Sequence, residues 1–137
     1  MGKPFSLRLG ETTLERLAQR AARGHEAPRT LAQRYVEEGL RHDEHPLIHF
    51  VEGPAGRRAA LLGAGLDVWE VVATIKDNDG DVAEAARYLR QPEHVVRAAV
   101  LYYGAFPDEV EEWIAGNERA AAEAHAAWLA GQRALAR

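Results

Sequence analysis

The stretch KPFSLRLGETTLERL, residues 3–17, begins as a β-strand and turns into a helix. Phe5, Leu7 and Leu9 alternate with Pro4, Ser6 and Arg8, the period-two pattern of a half-buried strand over residues 4–9. Gly10 breaks the alternation. Thr12 followed by Glu15 reads as a capping box, so a helix is expected to start there. Leu14, Leu17, Ala18 and Ala21 then fall on one apolar face. The strand is alone, because the next candidate strand lies beyond two helices. An unpartnered strand leaves its backbone donors and acceptors unsatisfied. The simplest remedy is a second copy of the chain, paired antiparallel across a two-fold axis. Phe5, Leu7 and Leu9 would then face a shared core, with Pro4, Ser6 and Arg8 on the outside of a two-stranded ribbon. Such a ribbon fits the major groove of DNA, where an arginine can hold guanine O6 and N7 with two hydrogen bonds.

Downstream, Gly24 supplies a helix stop and Pro28 suits the first turn of a second helix, which would bury Leu31, Ala32, Tyr35, Val36 and Leu40. The pieces PFSLRL and RGHEAPRTLAQRYVEEGLR, separated by one helix, resemble the ribbon-helix-helix repressors, the class that includes Arc and MetJ. The resemblance covers residues 3 to about 42. It implies an intertwined dimer that reads DNA bases through outward strand residues, which fall here on Pro4, Ser6 and Arg8. It also implies a phosphate anchor at the start of the second helix, on Arg29 and Thr30. Pro4 has no side-chain donor, so base reading would rest on Ser6 and Arg8, with Lys3 as a phosphate contact. An outward arginine on a strand is also the ordinary solvated state of that residue.

After the polar run RHDEHP, which reads as a linker, LIHFV and RRAALL flank the glycine- and proline-bearing loop EGPAG. This predicts a β-hairpin over residues 47–62. Asp67 and Glu70 frame a helix carrying Val68, Val71, Val72 and Ile75. DNDGD, residues 77–81, is a break, and Asp81 and Glu84 cap a short helix carrying Val82, Ala85, Ala86 and Leu89. RQP leads into EHVVRAAVLYYGA, with Val95, Val96, Ala99, Val100 and Tyr103 expected inward. Pro107 opens a last helical stretch that ends in an alanine-rich tail. The expected fold class is therefore mainly α: a ribbon-helix-helix domain over 1–42, a hairpin plus helix-turn-helix body over 46–117, and a helical tail over 118–137.

GPAGRRAALLG, GLDVWEVV and AEAARYLRQPEHVVRAAVLYY together resemble a domain of unknown function found in many bacterial antitoxins of the VapB kind, over residues 46 to about 117. The resemblance implies an antitoxin of a type II pair that represses its own operon and neutralises a toxin, commonly a PIN-type ribonuclease. A stand-alone ribbon-helix-helix repressor is the alternative, and an interaction protein whose ribbon dimerises without DNA is a third. Trp128, Leu129 and Leu135 are the large apolar residues of the tail. They are expected to anchor it on a partner in the helix-in-groove mode, or Trp128 folds back onto the body or the dimer mate.

Charge divides along the chain. Residues 1–41 hold eight basic and five acidic side chains, and residues 42–137 nine and sixteen, which together give the net −4. A basic arm on an acidic body suits DNA contact by the arm. Within residues 52–112, six basic face twelve acidic side chains, which disfavours phosphate contact by the helix-turn-helix, although its outer face offers Arg87, Arg90, His94 and Arg97. There is no cysteine, which excludes disulfides and thiolate metal sites. DNDGD resembles a calcium loop, but its glycine comes fourth where the EF-hand needs it sixth. HDEH places His42 and His45 three apart, with His49 nearby, in a polar linker without the carboxylate support of a metal site. No cofactor is expected, no nucleophile or phosphate-loop motif points to an enzyme, and no apolar run approaches a membrane span. With no secretory signal apparent, the expected setting is cytoplasmic.

Overall fold

The computed structural model describes residues 2–137 and consists mainly of helices with one small antiparallel sheet. It divides into two compact units, Met1–Asp43 and Glu44–Arg137.

The first unit is built on α1 (Glu11–Arg23) and α2 (Pro28–Glu44). Residues 2–10 enter no helix or ladder, so the expected strand over 4–9 does not form in the single chain, which offers it no partner strand. α1 starts one residue before Thr12, with Gly10 as its N-cap and no side-chain cap; Glu11 in the first turn meets the helix dipole instead. Gly24 is not the left-handed residue of the stop. His25 is, at φ 53°. Its N–H donates to Ala22 O and that of Glu26 to Ala21 O, the paired bonds of a Schellman motif. Arg34 then clamps the turn, donating to Glu26 at 2.8 Å. RHDE is helical rather than linker, since no glycine or proline lies between Gly39 and Pro46, and Arg41 pairs with Glu37 one turn back.

The second unit opens with β1 (Ile48–Gly53), β2 (Gly56–Leu61) and β3 (Leu66–Asp67), in the order β1-β2-β3. Ile48 pairs with Leu61 and Gly53 with Gly56, so Pro54 and Ala55 form a two-residue turn. Gly56, at φ 124°, has a backbone conformation that side chains rarely tolerate. Four helices follow: α3 (Val68–Asp77), α4 (Val82–Leu89), α5 (Glu93–Ala105) and α6 (Pro107–Leu135). The expected capping box opens α3, with the Asp67 N–H on the Glu70 carboxylate at 3.0 Å, and the Asp81 carboxylate accepts from the Glu84 N–H at the start of α4. The ends of α3 and α4 repeat the device seen at His25, with Asp79 and Arg90 left-handed at φ 56° and 57°.

The core of this unit gathers Ile48 and Leu61 from the sheet, Val68 and Val71 from α3, Val96 and Ala99 from α5, and Val110 from α6. Each of the buried valine, leucine and isoleucine side chains contributes about 1.5–3 kcal/mol. Tyr102, not Val100 or Tyr103, is the fully buried residue of the last turns of α5. Its ring lies 4.8 Å from Phe106 and 5.4 Å, edge-on, from His45, and its hydroxyl donates to Glu109. Among the described residues, no helix is long and apolar enough to cross a membrane, and no group of three or more His, Asp or Glu is placed to hold a metal.

On the surface, Glu111 of α6 receives hydrogen bonds from Lys76 of α3 and the Tyr103 hydroxyl of α5, with the Lys76 ammonium 5.5 Å from the Tyr103 ring centroid. The hydrogen bond from Lys76 holds the Glu111 carboxyl below its usual range, and the bond to Glu111 holds Lys76 above its own. A depressed carboxylate adds stability above its unfolded pKa, and that stability disappears as pH falls through the folded value. Glu111→Gln should therefore lower the melting temperature slightly at pH 7, with the gap to the parent closing below about pH 4. Thermal melts across pH check this; a gap that persists at low pH assigns the effect to packing.

Candidate functional site

The N-terminal unit buries almost nothing of its own. α1 buries only Ala21 and α2 only Leu31. The residues expected to face a core are mostly in the open: Phe5 is 86% exposed, Leu7 64%, Val36 56% and Leu40 55%. Only Leu9, Leu17 and Ala32 of that face reach half-burial. Leu7, Leu9, Leu17, Ala32, Tyr35 and Val36 line an open cleft of about 600 Å³. The apolar stripe that periodicity predicts is thus present and, among the described residues of this unit, largely uncovered.

Around this face stand the predicted polar residues. Lys3, Pro4, Ser6 and Arg8 lie on the N-terminal arm before α1, and Arg29 and Thr30 in the first turn of α2; all are exposed. Among the described residues none of Lys3, Arg8 and Arg29 has an ion-pair partner. The first turn of α2 has no acidic residue, so its positive dipole end is not offset and adds to Arg29.

The helix-turn-helix face of the second unit differs. Two of its arginines are committed locally: Arg87 bonds Glu84, and Arg97 lies 3.4 Å from Glu93. Each pair nearly cancels its own field, which matches the acidic balance of the segment.

The second unit also holds a groove of about 590 Å³ that sequence reasoning misses. The hairpin turn, Trp69 and Trp113 wall it. Arg58 donates to Asp67 at 2.5 Å, and the Trp69 indole N–H donates to the same oxygen at 3.1 Å. Gly53 leaves room for that guanidinium, since a Cβ there would collide with it. Asp67 therefore does more than cap α3: it fixes an arginine and a tryptophan together. The two tryptophans are the only local signal of this groove, which needs the tertiary fold to assemble.

Beyond Asn117, α6 has no buried residue. Trp128 is 64% exposed, Leu129 39% and Leu135 87%, so the tail does not fold back within the chain.

Compared with known protein families, curated proteins and solved structures, the chain shows no match in any of the three.

Proposed function

We propose that this protein is a ribbon-helix-helix transcriptional repressor that acts as the antitoxin of a type II toxin–antitoxin pair. One observation carries the first half of the reading. A unit of 43 residues with only Ala21 and Leu31 buried has little core of its own, and chains near the lower limit of about 40 residues usually rely on a metal, disulfides or oligomerisation. With no cysteine, and an N-terminal arm next to a bare apolar face, a second copy supplies both missing parts: a strand for the arm and a lid for the cleft. That pairing turns Ser6 and Arg8 outward, for bases in the major groove, and leaves Lys3, Arg29 and Thr30 for phosphates.

The antitoxin half rests on the resemblance of residues 46–117 to the VapB-associated domain, and on the bare tail. The toxin is a PIN-type ribonuclease, and the tail binds it through Trp128, Leu129 and Leu135, exposed anchors on an otherwise alanine-rich helix. Alanine favours helix but buries little area, so the large residues carry the contact.

The test is truncation after Asn117, which removes no buried side chain. The truncated protein should still bind the DNA upstream of its own reading frame, but no longer co-purify with the product of an adjacent nuclease-like gene. Co-purification that survives truncation removes the tail from the contact. A parent protein that captures no such product removes the antitoxin half.

A further inference from the structure

The groove between the hairpin and α6 has a composition that selects its occupant. Trp69 and Trp113 offer two indole surfaces. Three carboxylates line it, Asp67, Glu109 and Glu112, against Arg58, and the Arg119 guanidinium reaches its floor, 3.7 Å from where a Cβ on Gly116 would stand. Arg58 is already paired with Asp67, and with Arg119 counted the three carboxylates still outnumber the two cations by one. Glu109 accepts the hydroxyl of buried Tyr102 and is held in place. Glu112 is exposed and among the described residues has no ion-pair partner. Indole faces beside carboxylates attract a cation twice, through the ring quadrupole and through charge, and the attraction grows as water is excluded. The same negative balance repels nucleic acid.

The floor of the groove indicates what carries that cation. Gly116 and Ala120 of α6 present almost no side chain there. The row continues past the groove as Ala124, Ala127 and Gly131, spaced four, three and four along the same side of the helix and all exposed. A track without bulk lets a second helix approach closely, and the bare part of α6 gives that helix a surface to lie along.

We propose that this groove is a docking site for a basic amphipathic helix of a partner protein, with an arginine of that helix seated between Trp69, Trp113 and Glu112 and its apolar side on the small-residue track of α6. The site belongs wholly to the second unit and does not depend on DNA binding by the first. It is a contact separate from the tail anchors Trp128, Leu129 and Leu135.

The experiment uses the full-length protein, labelled with nitrogen-15. The probe is a blocked helical peptide of alanine, leucine and arginine, and its control is the same peptide with neutral citrulline replacing arginine. The three indole N–H signals, from Trp69, Trp113 and Trp128, report where the peptide sits. The expected result is movement of the Trp69 and Trp113 signals with arginine peptide, and affinity roughly tenfold weaker with citrulline. Glu112→Gln, on the surface and outside the core, should bring the arginine peptide down to the citrulline level. Glu118→Gln, on the opposite side of α6, should change nothing. Equal affinity for both peptides, an unaltered Glu112→Gln, or movement confined to Trp128 each overturn the proposal; the last moves the docking surface to the tail itself.

Discussion

Leu7→Pro should convert the protein from a dimer to a monomer with an unfolded N-terminal unit. Within a single chain this substitution is almost neutral. Leu7 is 64% exposed, in a segment with no ladder bond to lose. In the paired arrangement the outcome reverses. Proline removes a backbone donor from the middle of a two-stranded ribbon and leaves an acceptor opposite it unsatisfied. An unsatisfied buried group costs about 1–3 kcal/mol, and two-fold symmetry applies the loss twice. The leucine side chain also leaves the cleft it would fill with Leu17, Tyr35 and Val36. The two arrangements thus predict opposite results for one variant, which sedimentation separates directly. Ser6→Ala is the control, because Ser6 alternates to the outer face and its loss should leave the dimer intact. A Leu7→Pro protein that sediments as a folded dimer ends the ribbon reading.

The sequence was most legible where a local signal and the tertiary need coincide. GPAG between two apolar runs marks the hairpin because the turn chemistry is contained in four residues. Asp67 and Glu70 mark the start of α3 for the same reason. Helix ends were less legible. Three of them turn on His25, Asp79 and Arg90 in the left-handed region, and for His25 and Asp79 the glycine that seemed to mark the stop is its neighbour. Such residues cost about 1–2 kcal/mol there relative to glycine, so only the paired Schellman bonds reveal them. α5 gave the wrong inward residue because AAVLYYGA is apolar on every side, and periodicity cannot choose a phase without a polar face. β3 is two residues long, too short to show a period. The groove was hidden for a different reason. Its walls come from residues as far apart as Pro54 and Ala120, and nothing local announces that Trp69 and Trp113 meet across it. Lys3, Pro4, Ser6, Arg8, Arg29 and Thr30 rest on the ribbon-helix-helix resemblance, and in the single chain they are exposed alongside Phe5 and Leu7, so their facing is set only when a partner strand is supplied.

Arg8→Ala should weaken binding to the DNA upstream of the protein's own reading frame by about 1–3 kcal/mol, with a smaller loss on unrelated duplexes. The asymmetry is the point of the measurement. A bidentate contact to guanine is lost only where that guanine stands, whereas a phosphate contact is lost on every sequence. Arg29→Ala supplies the comparison, since the start of α2 is suited to an anion and should lose affinity uniformly. Salt gives a second, independent reading. Each phosphate neutralised adds about −0.9 to the slope of log K against log salt, so Lys3, Arg8 and Arg29 from two chains bound the slope near −5 if all six reach the backbone. If Arg8 reads a base, its removal leaves most of that slope in place, while Arg29→Ala reduces it by about 2, one contact from each chain. The chain's net charge of −4 does not oppose this, because the charges that matter lie on the arm and α2, inside the segment whose own balance is positive. Affinity that falls equally on all duplexes makes Arg8 a phosphate contact. A slope near zero excludes the arm as the DNA-binding surface, whatever the oligomeric state.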